Sequence, residues 1–190
     1  MRRFVDPIVR FMVNRSRATY RPLHIGAAVL AGASLELGLI PLVLVVAGRY
    51  LDAVLRLGPL ASAGTARLFA AACFAIGVPW LASSIYWQHR NGKGTPLPLV
   101  PTKRMLTTGP YRFCRNPMAL GAIFWLAGWA LVANSRTALY GGVGCFAAAI
   151  FSYHKLIEER ELEERFGEVY TRYKSTTPFL FPLARRVRRD

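Results

Sequence analysis

Residues 117–157 read PMALGAIFWLAGWALVA, NSR, TALYGGVGCFAAAIFSYHKLI: two apolar runs separated only by Asn134, Ser135 and Arg136. The first covers 17 residues, 117–133, and rises roughly 26 Å as a helix, just short of a ~30 Å hydrocarbon core. The second, 137–157, is long enough to return, so the stretch predicts a tight helical hairpin within a bilayer. Working outward, two more apolar segments lie at 23–47 and 66–87. The predicted fold class is all-α: a polytopic helical membrane protein with about four transmembrane helices.

Composition agrees. The chain of 190 residues is 53% hydrophobic and carries 25 Lys and Arg against 10 Asp and Glu, a net charge of +15, with a mean hydropathy of +0.27. A soluble domain this apolar is seldom so basic, and a nucleic-acid binder this basic is seldom so apolar. Basic loops on one side of a membrane account for both values. The segments 1–22, 89–116 and 155–190 hold six, six and nine basic residues, against four (Arg49, Arg56, Arg67 and Arg136) in the other connections. This asymmetry predicts cytoplasmic N- and C-termini and a cytoplasmic 89–116 loop, with no nucleic-acid partner needed. The first apolar run is too long for the core of a signal peptide, and a retained helix is expected.

Local features refine the picture. Segment 1–22 interleaves six arginines with Phe4, Val5, Ile8, Val9, Phe11, Met12 and Val13, as an amphipathic helix on an anionic leaflet would; a basic tail is the alternative. The expected domains are this segment and one membrane domain over 23–190. Glu36 lies between leucines inside the first span, where a carboxylate is either functional or hydrogen-bonded to a neighbouring helix. Pro41 and Pro79 predict kinks. Cys73, Cys114 and Cys145 match no zinc or redox spacing and are expected to pack as small hydrophobes.

Two segments are densest in chemistry. Residues 91–118 carry Gly92, Gly94, Gly109 and several prolines, and predict a long shaped loop rather than a helix, its glycines admitting a ligand close to the backbone. The spacing is neither a dinucleotide fingerprint nor a P-loop. Residues 154–173 begin where the fourth span ends. His154 and Glu158 are four apart and share a helix face; such a pair can bind a cation, orient a substrate or move a proton, or be a plain interfacial ion pair. Leu162, Phe166, Tyr170 and Tyr173 form an apolar stripe expected to pack, while Glu161, Glu163, Glu164 and Glu168 alternating with Arg160, Arg165 and Arg172 predict a solvated face.

Gly-Thr-Pro-Leu-Pro at 94–98, Gly109-Pro-Tyr-Arg112, Arg115-Asn-Pro-Met118, Glu158-Glu159 and Phe166-Gly-Glu-Val-Tyr170 with Tyr173, Pro178 and Pro182 together resemble the integral-membrane methyltransferases that include isoprenylcysteine carboxyl methyltransferase and phospholipid N-methyltransferase. The likeness spans about 88–182, the motif-bearing core. It implies S-adenosyl-L-methionine in a cytoplasmic pocket formed by the 89–116 loop and C-terminal helices, with a lipid or lipophilic small-molecule acceptor arriving from the membrane. It places the cofactor on Lys103, Arg104, Met105, Leu106, Tyr111, Asn116, Pro117, Met118, Ala119 and Glu158, with no metal. Two departures stand out. Ala119 replaces a frequent tyrosine, and His154 occupies the position of the arginine that would meet a prenylcysteine carboxylate. His154 or Glu159 is therefore the expected proton acceptor, and Arg115 the residue orienting the acceptor, for a carboxylate, amine or thiol. An NADPH-dependent membrane sterol-type reductase and a non-catalytic scaffold are the alternatives. Oligomeric state is open, and compactness suggests a prokaryotic inner membrane.

Overall fold

A computed structural model describes residues 2–17, 22–92 and 102–182, and among them all regular structure is helical. The Gly-Thr-Pro-Leu-Pro run at 94–98 lies outside the described residues. In chain order the helices are α1 (Arg2–Arg17), α2 (Pro22–Ala33), α3 (Ile40–Val54), α4 (Ala63–Trp87), α5 (Pro117–Val132), α6 (Gly144–Tyr153), α7 (Glu159–Phe166) and α8 (Glu168–Thr176). Four π-helical segments continue them: Ser34–Leu39 joins α2 to α3, Gln88–Gly92 extends α4, Thr137–Val143 opens α6 and His154–Glu158 joins α6 to α7.

Two helices are long and apolar enough to cross a bilayer: Gly26–Val54, 29 residues with mean hydropathy 2.3, and Ala63–Gly92, 30 residues with 1.9. Each rises more than 40 Å by the ~1.5 Å per residue of a helix, ample for a ~30 Å core. α5 is a shorter apolar helix. The first helix runs beyond the predicted end at 47 because Asp52 has a polar role: the Thr137 amide and hydroxyl both donate to its Oδ1 (2.9 and 2.6 Å). At the same pole Asn134, in the left-handed region at φ 51°, donates to the Ala61 carbonyl (2.9 Å) and accepts from the Ala61 amide (3.1 Å). These bonds tie the α3–α4 and α5–α6 connections together, and satisfying backbone groups in turns is what a hairpin end requires.

The bundle closes through small residues. A Cβ on Gly121 would lie 2.7 Å from the Leu81 amide nitrogen, and one on Gly77 2.8 Å from that of Trp125, so the α4 and α5 backbones touch. Without a hydrophobic gain between helices in lipid, such close approach and the van der Waals contact it permits hold the pair. Phe74, Trp125 and Trp129 interlock edge-to-face beside it, with centroids 5.2 to 5.8 Å apart. Leu126, Ala130, Ala138 and Val143 form the core against which Ile40 and Leu44 pack. Outward, Leu30, Leu42, Val46, Leu68 and Phe69 are exposed, an apolar exterior of the kind a protein presents to acyl chains.

Irregular turns have identifiable causes. Pro41 has no N–H to give the preceding turn, and the chain widens to π geometry just before it, over Ser34–Leu39. The predicted loop at 89–116 begins later than expected, since the helix persists to Gly92 and a 3₁₀ turn forms at Gly109–Arg112. α1 lays one face on the protein. Val9 and Val13 are buried against Ile157, the Tyr153 hydroxyl approaches the Met12 sulfur (3.7 Å), and Asp6 pairs with Arg160 (3.6 Å).

Candidate functional site

At the pole opposite the Asn134 clasp, the helix ends surround a cavity of about 280 Å³. Its wall draws on widely separated parts of the chain: Met12 of α1, Leu35, Glu36 and Ile40 around the first π-turn, Gln88 after α4, residues between 102 and 122, Phe146, Ile150 and Tyr153 of α6, His154 and Glu158, then residues of α7 and α8 from Glu159 to Tyr173. Three of the four π segments contribute wall residues. Such turns cost helical regularity and recur where a side chain is re-aimed at a site.

The Gly109-Pro-Tyr stretch has a steric basis. Gly109 adopts φ +62°, and a Cβ there would lie 2.6 Å from Trp87 Nε1, so only glycine permits the turn that carries Tyr111 to the wall. Tyr111 is buried, its carbonyl accepts from the Tyr173 hydroxyl (2.6 Å), and burial raises its phenol above the ordinary range. The Tyr111 hydroxyl lies against the Gln88 side chain, and neither that hydroxyl nor Gln88 Oε1 completes a well-aligned hydrogen bond among the described residues. Buried polar groups are normally satisfied, so this poorly aligned polar pair on the cavity wall leaves capacity for a polar ligand.

Next to it, residues 115–116 pair with the segment following α8. The Arg115 amide donates to the Pro178 carbonyl (2.9 Å), and the Asn116 amide and Nδ2 both donate to that of Phe179 (3.2 and 3.0 Å). Asn116 thus fastens the C-terminal segment over the start of α5. Arg115 is almost fully spent: Nε donates to the Thr177 carbonyl (3.1 Å), and Nη1 to Glu159 Oε1 (2.9 Å) and the Tyr170 hydroxyl (3.2 Å), with the Phe179 ring 5.5 Å away.

Glu159 is the centre of a buried ion cluster. Besides Arg115 it meets Lys155 Nζ (2.9 Å) and Lys174 Nζ (2.6 Å). Burial alone would raise its carboxyl, but hydrogen bonds from Lys174 and Lys155 and the charge of Arg115 outweigh that and hold it below the ordinary carboxylate range. A carboxylate so held is a poor proton acceptor. One turn away, His154 Nδ1 hydrogen-bonds Glu158 Oε2, both on the cavity wall, which leaves the imidazole Nε2 free of that bond.

The face predicted to be solvated is so in part: Glu163, Glu164, Glu168 and Arg172 are exposed, but one charged pair turns inward. Glu161 is 2% exposed and ion-paired with Arg165, which also donates to the Thr102 carbonyl and stacks over Phe166. Arg165 thereby links α7 to Thr102, and the i,i+4 spacing of Glu161 and Arg165 was the available signal. The stripe of Leu162, Tyr170 and Tyr173 lines the cavity as well as packing.

Of the residues singled out from sequence, Met105, Leu106, Tyr111, Arg115, Asn116, Pro117, Met118, Ala119, His154, Glu158 and Glu159 share this wall, whereas Lys103 and Arg104 are exposed and off it. Lys103 instead returns its amide to the Gly92 carbonyl (2.7 Å). Gln88, Thr102, Glu161 and Arg165 were not singled out, being ordinary helix-end and helix-face residue types in sequence. Burial pushes the Cys114 thiol up to about 11, consistent with inert packing. No group of His, Cys, Asp and Glu suited to a metal ion occurs among the described residues.

The class is therefore a helical membrane protein with a cavity lined by both polar and apolar residues. A family model for phospholipid methyltransferases matches residues 65–169, from the start of α4 to α8. The chain belongs to the phospholipid methyltransferase family. No curated protein matches it.

Proposed function

We propose that the chain is an S-adenosyl-L-methionine-dependent membrane methyltransferase acting on a lipid or other membrane-partitioned acceptor. The observation that carries this is the single cavity in which motif residues from 105–119 and His154–Glu159 meet apolar residues of the first helix and α6. Met105, Leu106, Tyr111, Asn116, Pro117, Met118, Ala119 and Glu158 would hold the cofactor; Lys103 and Arg104 receive no part in this. When bound, it supplies an electrophilic methyl group on a sulfonium sulfur.

The chain's own groups suit that ligand. The Glu158 carboxylate and the Tyr111 ring stabilise a cation, and the poorly aligned Gln88–Tyr111 pair has capacity left to bond its polar edges. Burial lowers the His154 imidazole to about 4, so it rests neutral; with Nδ1 engaged by Glu158, Nε2 is the atom left to take the proton that an amine or thiol gives up. Glu159 is committed to three cations, so we assign it, with Arg115, to positioning: together they anchor α7, α8 and the 177–179 segment around the site. Position dominates such chemistry, since bringing the reacting atoms into line supplies most of the rate.

We further read α5 and residues 137–153 as two more crossings, giving four spans with both termini and the cavity pole cytoplasmic, in a prokaryotic inner membrane. In this reading 23–190 is one methyltransferase domain and α1 an interfacial helix resting on it. Calorimetric titration of detergent-purified protein with S-adenosylhomocysteine tests the cofactor, with NADPH as control. Binding that Glu158→Ala abolishes, and His154→Ala retains while losing turnover, is the expected result. Binding of NADPH alone would reassign the chain to a reductase, and unchanged turnover in His154→Ala would remove that residue from proton transfer.

A further inference from the structure

Glu36 is the acid of the cavity wall that has no partner. Glu158 has His154, Glu159 has Arg115, Lys155 and Lys174, and Glu161 has Arg165. Glu36 makes no hydrogen bond or ion pair among the described residues, and it lies on the cavity wall. It lies inside the 26–54 apolar helix, outside the 65–169 region that carries the family match. Leu35, Ile40, Phe146, Ile150 and Tyr153 are among the apolar and aromatic residues of the same wall. Leu35 and Glu36 of the π-turn at Ser34–Leu39 line the cavity together with Ile40 just after it, as π segments often do at functional sites.

An unpaired carboxylate in such surroundings is costly to keep. A structural carboxylate would show a partner on a neighbouring helix, and this one shows a cavity. We infer that Glu36 is the counter-ion of a cationic amino group on the acceptor, and so the residue by which the site selects amine-bearing amphiphiles over neutral or anionic ones. The inference rests on the methyltransferase reading for the word acceptor, but the ammonium site itself does not. The placement fits the geometry of entry: an amphiphile coming from the bilayer meets the apolar wall first, its chain lying among Leu35, Ile40 and Phe146 while its charged nitrogen finds the carboxylate. An anionic headgroup would be repelled there, and among the described residues of the wall Arg115 and Arg165 are spent on Glu159 and Glu161.

The test uses purified full-length protein in non-ionic maltoside micelles, with dodecyltrimethylammonium as a probe that cannot itself accept a methyl group. Dodecanol and dodecanoate serve as neutral and anionic controls. Thermal unfolding reads binding without turnover. The expected result is a rise in Tm with the cation and none with either control, despite the protein's net charge of +15, which opposes non-specific cation uptake. Glu36→Gln should weaken the cation's apparent affinity about tenfold or more, as removing one side of a desolvated charge pair does, and Glu36→Asp should keep most of it. Glu36→Gln alone should unfold at or above the wild-type temperature, because no bond is lost with the charge. Equal stabilisation by the cation in wild type and Glu36→Gln overturns the inference. So does a drop in the Tm of Glu36→Gln, which would reveal a structural partner. S-adenosylhomocysteine binding, measured in the same samples, separates the two claims. Its retention in Glu36→Gln with loss of cation binding supports both, while a Glu36-dependent cation response without any S-adenosylhomocysteine binding upholds the ammonium site and defeats the methyltransferase reading.

Discussion

Replacing Arg115 by Met tests whether the buried cluster holds the site together. The guanidinium donates to the Thr177 carbonyl, to Glu159 and to the Tyr170 hydroxyl at 3.1, 2.9 and 3.2 Å, and its side chain is 8% exposed. Deleting one member of a buried ion pair costs about 3–5 kcal/mol when it strands the other charge. Glu159 would keep Lys155 and Lys174, so the full penalty is not reached. Two further bonds at about 1 kcal/mol each, plus about 1 kcal/mol of residual pairing, give a loss of about 3 kcal/mol. In a chain of 190 residues that is a fall in Tm on the order of 6–12 °C. Arg115→Lys keeps the charge and loses the fork that reaches Thr177 and Tyr170, and should fall by about half as much. Combining Arg115→Met with Glu159→Gln should cost less than the sum of the singles, by about 1–2 kcal/mol, because both buried partners leave together. Thermal unfolding in maltoside micelles measures all three. An Arg115→Met protein within about 2 °C of wild type, or strict additivity in the double variant, would show that the cluster does not hold the C-terminal segment.

Two other perturbations follow from the packing and the charges. Gly121→Val pushes a branched side chain at a backbone nitrogen that a Cβ alone would approach to 2.7 Å; it should separate α4 from α5 and reduce the yield of folded, monodisperse protein far more than Gly144→Val, whose Cβ meets nothing within 4 Å. Similar yields for the two would refute the close crossing. The depressed carboxyl of Glu159 sets an acid limit: its folded value lies below the 4.5 of a free carboxyl, so its contribution is fully present above that pH and is lost as pH falls through the folded value. Tm measured from pH 7 downward should therefore drop below pH 4.5 in wild type, and drop less in Glu159→Gln. Identical profiles would place the acid sensitivity elsewhere.

Much of the architecture was readable from local composition. The apolar runs and the Asn134-Ser-Arg136 break predict helices and a hairpin whatever those helices touch, because burying backbone in lipid forces helix formation within each segment. Gly109 and Tyr111 were visible as a motif, though only the structure shows Trp87 filling the space a Cβ would need. Arg115 is the clearest case of what local pattern does not show. As a lone arginine before Asn-Pro it reads as free to meet a substrate, yet its partners lie 44 and 62 residues away at Glu159 and Thr177. The same holds for Glu161 and Arg165, whose alternating charges suggest a wet face until α7 is seen resting on the 102–108 stretch.

The sequence by itself determined the helical membrane class, the concentration of basic residues in three segments, and the residue types from which a site could be made, since hydropathy and charge act through each segment's own contact with lipid or water. Only the tertiary structure decided which of the acids are spent and which is free. Pairing depends on which helix faces meet across the bundle, so Glu159 and Glu161 became internal ion pairs while Glu36, on the same cavity, was left without one.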